Sequence, residues 1–189
     1  MKLKAALFLF FLGAMVAAGH ARAADVSCID KICFEKIREV GGAALPLKGT
    51  SKLEFMGLDM YVGAFYAAEN LKTPTAVLGN IPKALVLHYK RSIKVKWMNS
   101  AAARTIKKNP AVDFEKLKSR VDEIGRAYKR VGKDDRYALV YEPGKGTSLY
   151  LNDQFVVLIL GEDFQSAYFG IWLSEYPAKP AFRDQLLGN

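Results

Sequence analysis

Only two histidines, His20 and His88, occur in the 189 residues. That scarcity removes more chemistry than any motif adds. A zinc centre built on several imidazoles, a two-histidine relay and the His-Glu-x-x-His protease helix each need more than one histidine in one place. A serine triad would have to use His88, and no Gly-x-Ser-x-Gly elbow accompanies it. In Ala84-Leu85-Val86-Leu87-His88-Tyr89-Lys90-Arg91, His88 reads as a structural histidine satisfied by its neighbours. Arg91 is the more suggestive group. Alternation along that run places it with Leu85, Leu87 and Tyr89, as a structural cation tied to an acid such as Asp59 or as a contact for an anionic ligand. The turn Gly144-Lys145-Gly146-Thr147 lacks the spacing of a phosphate loop, and a strand pattern follows it where that motif needs a helix. Neither a metal nor a cofactor is implied.

The elements that must position these groups begin with an export signal. Lys2 and Lys4 precede an apolar run from Ala5 to Val16, and Ala21-Arg22-Ala23 supplies a small-residue cleavage site. A signal peptide over 1–23 and a periplasmic mature chain are therefore expected. Its removal takes the formal charge from +9 to +6 and leaves His88 as the remaining histidine. Ser27 to Val40 carries Ile29, Ile32, Cys33, Ile37 and Val40 near helical spacing, which predicts an N-terminal helical segment over 24–43. An exported chain favours a Cys28–Cys33 disulfide, a local staple in a spacing that does not match a C-x-x-C redox pair.

From residue 44 to 189 one domain is expected. Leu58 to Tyr66 is rich in aromatic and long apolar residues on both of its alternating faces, so both faces should be covered. Gly57 marks a bend or hairpin turn before it. Residues 72 to 82 read as an irregular connection. The spacing predicts a helix over about 95–108, stopped by Asn109-Pro110, and another after the cap Asp113, with Phe114, Leu117, Val121, Ile124, Tyr128 and Val131 on its apolar face. The period then switches to two, predicting a meander over 137–142, 147–151 and 154–160. Helices over 164–173 and 181–187 complete an α+β order.

Taken together, Leu47-x-Gly49-x-Ser51-x-Leu53-x-Phe55-x-Gly57-Leu58-x-Met60-Tyr61-x-x-Ala64, Leu87-x-Tyr89-x-Arg91-x-Ile93, Phe169-Gly170-Ile171-Trp172-Leu173 and Leu186-Leu187-Gly188 resemble the bacterial chalcone isomerase-like proteins. These are exported relatives of plant chalcone isomerase and of plastid fatty-acid-binding proteins. The resemblance implies an open-faced β-sandwich, a large antiparallel sheet with helices packed on one side and a ligand cleft between them. True chalcone isomerases add a strand arginine and a helix row of Tyr, Lys and Asn. Ser51-Lys52 stands in place of the arginine, and the stretch from Trp97 to Arg104 lacks the row. The cyclisation needs a cation for a phenolate and a partner for the developing enolate, so catalysis is not the expected role.

The fatty-acid-binding relatives ask for less, a basic residue and a tyrosine at an apolar tunnel. The resemblance therefore implies a fatty acid or similar small amphiphile, with Lys52 and Tyr61 matching the basic residue and the tyrosine; Tyr66, Tyr89 and Arg91 are the further candidate ligand residues. An isomerase or lyase acting on a chalcone-like or enone substrate is the alternative, and a structural protein with a filled cleft is a further one. The basic residues Lys90 to Lys96, with Arg104, Lys107 and Lys108, suit an anionic membrane surface. In an exported chain nucleic acid is not the expected partner.

Overall fold

The computed structural model describes residues 25–189; the expected signal peptide lies outside the described residues. The sheet has seven strands in sequence order, all antiparallel. These are β3 (Ile37–Val40), β4 (Ala43–Phe55), β5 (Leu58–Tyr66), β6 (Lys83–Tyr89), β7 (Arg136–Glu142), β8 (Gly146–Leu151) and β9 (Gln154–Ile159). The helices α1 (Pro74–Leu78), α2 (Val95–Lys108), α3 (Phe114–Ala127), α4 (Glu162–Leu173) and α5 (Pro180–Leu187) are inserted between strands or follow the last one. They enclose the larger core with one face of the sheet, where Phe65, Leu85, Leu139 and Leu149 meet Ile124, Phe164, Phe169 and Leu186.

Two further strands, β1 (Val26–Ile29) and β2 (Ile32–Glu35), form a separate hairpin. Here the expected helix is corrected. Cys28 and Cys33 are cross-strand partners joined by a disulfide, and the turn residues Asp30 and Lys31 both adopt positive φ, 53° and 66°. The isoleucine and valine spacing is compatible with either period, and β-branched residues pack better on a pleated strand. The sequence carries no glycine at this turn to advertise it.

Strands β1 and β2 have a packing task. Phe34 is buried in a second core with Val62, Ala64, Tyr66, Val86 and Val140, on the sheet face away from the helices. Both faces of β5 are therefore covered, as its two apolar sides require. The guanidinium of Arg136 lies 5.2 Å from the Phe34 ring centroid, donates to the Cys33 carbonyl at 3.1 Å and to His88 Nδ1 at 2.9 Å. His88 Nε2 faces Asp134 at 3.2 Å, so His88 is the satisfied structural group expected. Burial lowers its pKa against the opposing Asp134 contact.

The other boundaries follow local signals. Helix α2 spans the predicted residues, and the Asp113 carboxylate caps α3 by accepting from Lys116 N. Helix α3 stops at Ala127 because Tyr128 has turned to ψ 137°. The connection expected to be irregular contains α1, capped by Thr73 with Pro74 in its first turn.

Lys83, at the start of β6, is fully buried. Its ammonium donates to Gly79 O and Gln165 Oε1, both at 2.7 Å, and sits 4.6 Å from the Tyr141 ring centroid. These contacts tie α1 and α4 to the start of the central strand β6, with no carboxylate among the described residues taking part. Burial lowers its pKa from 10.5 to about 7. Between those values the unfolded chain binds more protons than the fold, so stability rises with pH through that window, and below it the burial penalty is complete. Urea midpoints measured across this range should rise in the wild type relative to Lys83→Met, the gap closing towards pH 10.5. A gap independent of pH would mean that Lys83 stays charged in the fold.

Candidate functional site

Strand β4 turns into β5 through Met56 and Gly57, both at positive φ. The alternation of β5 then decides which side each tyrosine takes. Tyr61 pairs in register with Tyr89 on β6 and faces the helices. Tyr66 goes to the opposite face, where its hydroxyl donates to the Glu35 carbonyl at 2.9 Å. Between the ends of β4 to β6 and helices α2 and α4 lies a cavity of about 540 Å³. Leu53, Leu87, Ile93, Met98, Ile171 and Trp172 supply much of its apolar wall, and Tyr61, Tyr89, Tyr128 and Tyr168 add hydroxyls. This is the size and lining of a small-molecule site.

The hydroxyls form short chains. Trp172 Nε1 donates to the Tyr61 hydroxyl at 3.0 Å, and Tyr168 and Tyr128 share a bond of 3.0 Å. An indole N–H can only donate, so Tyr61 keeps its own proton for another acceptor. Two hydroxyls sharing one bond likewise leave one proton uncommitted. Tyr89 reaches the soft acceptor Met98 Sδ at 3.7 Å. Burial pushes the Tyr61 phenol up to about 12, and raises Tyr89, Tyr128 and Tyr168 as well. At neutral pH these groups are neutral donors, not bases.

The structure brings together only two of the five ligand residues expected from the sequence, Tyr61 and Tyr89. Tyr66 is on the far face. Lys52 pairs in register with Val62, whose side chain belongs to the far core, and its ammonium is engaged by Glu54 at 2.6 Å and Asp59 at 3.1 Å. Those hydrogen bonds, Glu54 first, raise its pKa. Lys90 bonds Asp59 at 2.6 Å and also reaches Asp30. With Lys90 as the first cause and Lys52 the second, Asp59 is lowered to about 2. Asp59 is thus the partner of Lys52 and Lys90, not of Arg91. Arg91 lies beyond the end of β6, where alternation no longer assigns a face, and is absent from the cavity wall. Asn99, in the stretch that lacks the isomerase row, donates to Gly125 O at 2.9 Å and fastens α2 to α3.

The cations that do line the cavity are Arg104 and Lys108 on α2 and Lys179 just before α5. All three are exposed at its mouth. Among the described residues none of them forms an ion pair with a carboxylate. A signal for two was present in the sequence. Trp97, Ala101, Arg104, Thr105 and Lys108 follow helical spacing, and all five line the cavity.

A sheet with helices on one face and an aromatic cavity between them is the arrangement that the sequence motifs anticipate. A family model described as chalcone isomerase-like matches residues 27–188. The chain belongs to the chalcone isomerase-like family. Among solved structures, this chalcone isomerase-like chain is similar to a fatty-acid binding protein of Arabidopsis thaliana. The match has a TM-score of 0.63 at 16% identity and covers 87% of this chain and 96% of that one. At that identity the match establishes the shared fold, a curled antiparallel sheet with its helices on one side. No curated protein sequence matches the chain.

Proposed function

We propose that this chalcone isomerase-like protein is a non-catalytic, exported binding protein for a fatty acid or similar amphiphile. The observation that carries the reading is the open apolar cavity of about 540 Å³ with cations at its mouth that pair with no carboxylate among the described residues. A cleft filled by its own side chains would favour a purely structural role, and this one is open. The name of the Arabidopsis relative, a fatty-acid binding protein, points the same way. An enone isomerase needs a base or a cation inside the cavity. Its wall offers neutral tyrosines and one carboxylate, Glu54, which is engaged by Lys52 at 2.6 Å, while Lys52 itself does not line the cavity.

Orientation follows from desolvation. A carboxylate carried to the tyrosines would lose its hydration without meeting a cation, a costly transfer. The tail therefore enters and the carboxylate stays at the mouth, near Arg104, Lys108 and Lys179. About ten buried methylenes yield roughly 8 kcal/mol gross, before association costs of several kcal/mol. Each exposed cation adds about 0.2 to 1 kcal/mol. The tail thus sets affinity and the cations set direction.

Titration with a fluorescent long-chain fatty acid in lipid-free buffer tests this reading, alongside native mass spectrometry of protein purified without detergent. Combined Arg104→Gln, Lys108→Gln and Lys179→Gln should weaken binding about three- to 150-fold and leave the matching fatty alcohol nearly unaffected. Equal losses for acid and alcohol would reverse the orientation, and no uptake by the wild type would remove the reading.

A further inference from the structure

The rim of the cavity carries groups that ligand binding does not use. At the β4–β5 turn Met56 is 84% exposed, with Phe55 at 54% and Leu58 at 47% beside it. Trp97, in the first turn of α2, is 68% exposed, and it lines the same cavity as Phe55. The hairpin tip and the indole therefore share one rim. Adjacent exposed apolar side chains of this size mark an interaction surface.

Helix α2 supplies the second observation. It has 14 residues, of which only Ile106 is buried, and no acidic residue in its sequence. With its cap it carries Lys94, Lys96, Arg104, Lys107 and Lys108, all exposed. Among the described residues none of these five forms an ion pair with a carboxylate. The neighbouring α3 shows the contrast, with acids interleaved and Lys118 paired to Asp122 at 2.5 Å. A basic helix bearing a rim tryptophan beside an apolar hairpin tip complements a surface that is negative outside and apolar beneath.

We propose that this rim docks on an anionic lipid bilayer. Met56, Phe55, Leu58 and Trp97 enter the headgroup boundary, and the cations of α2 meet the phosphates. The cavity mouth then opens onto the phase in which an amphiphile is dissolved. The purpose of docking rests on the binding reading above, whereas its geometry does not.

Flotation with vesicles of phosphatidylcholine alone, or mixed equally with phosphatidylglycerol, tests the proposal. It is run on wild type and Met56→Asp, each as recovered from cells, so that any contribution of residues 1–24 cancels. Met56 does not line the cavity and is exposed, and aspartate tolerates its backbone conformation. The wild type should bind the mixed vesicles, release them in high salt and bind neutral vesicles poorly. Met56→Asp should lose about tenfold in vesicle affinity. It should also take up vesicle-borne fluorescent fatty acid about tenfold more slowly, with unchanged affinity for the free fatty acid in lipid-free buffer. Equal vesicle binding by the two proteins overturns the proposal. So does a wild-type dimer, dissolved by Met56→Asp, that ignores vesicles. Failure of both proteins to take up free fatty acid removes the binding reading and leaves the flotation result standing.

Discussion

Ala102→Trp should abolish measurable uptake of a long-chain fatty acid, lowering affinity about a thousandfold. Ala102 lies on the α2 face that lines the cavity and is half-buried against the main core. An indole placed there projects into open volume, so the fold need not shift to receive it. It occupies space that the tail would fill. Each methylene kept out forfeits about 0.8 kcal/mol, and excluding about five forfeits roughly 4 kcal/mol, which is about three decades in dissociation constant. Ser100→Trp adds the same ring at an exposed site of the same helix outside the cavity wall and should bind like the wild type. Fluorescent fatty-acid titration of the three proteins, with urea unfolding to show equal stability, gives the answer. Undiminished affinity in Ala102→Trp would place the ligand elsewhere.

The second large effect is on stability. Gly49→Ala should cost about 3 kcal/mol or more and lower the melting temperature by about 6 to 12 °C. A Cβ at Gly49 would stand 2.1 Å from the Gln185 carbonyl oxygen and 2.9 Å from that of Leu186. Both are backbone atoms of α5, so no side-chain rotation relieves the overlap. The helix must move away from β4. That movement breaks the Ser51 to Gln185 hydrogen bond of 2.8 Å and disturbs Leu186 and Leu187, which are buried. It also shifts Phe182, whose ring meets Tyr61 edge-on at 5.6 Å between centroids, so the cavity wall loosens with the fold. Gly132→Ala is the control, since its nearest neighbour would be Asp135 Oδ2 at an ordinary 3.6 Å. Thermal melts of both variants decide the point, and a melting temperature for Gly49→Ala within a degree or two of the wild type would contradict this packing.

Much of the helical architecture was legible because its signals are local. Asp113 announces the start of α3, and Asn109-Pro110 stops α2 at Lys108. The two apolar faces of β5 called for cover on both sides, although the cover on the far side comes from strands where a helix was expected. The candidate site was less legible, because parity along a strand assigns a side only while the ladder stays regular. The β4–β5 register slips between Leu47 and Gly49 and again between Leu53 and Glu54, and β6 ends before Arg91. Arg91 lies where counting loses its meaning, and the slip after Leu53 brings Glu54 and Asp59 beside Lys52, which stays in regular register with Val62.

What the sequence by itself determined is therefore whatever depends on neighbours in the chain. That includes the meander from β7 to β9, the apolar face of α3, the pairing-competent cysteines, and the run of cations in α2 without an acid among them. What only the tertiary structure decided is which polar groups share a space. Tyr61 and Tyr89 face the cavity while Tyr66 faces the β1–β2 hairpin, and Arg104, Lys108 and Lys179 take the mouth that Lys52 was expected to hold. The physical reason is that a charge goes where its desolvation is least or best compensated. For Lys52 that place is beside Glu54, two residues along the same strand, and Asp59, which is brought to it only by the turn of β4 back into β5.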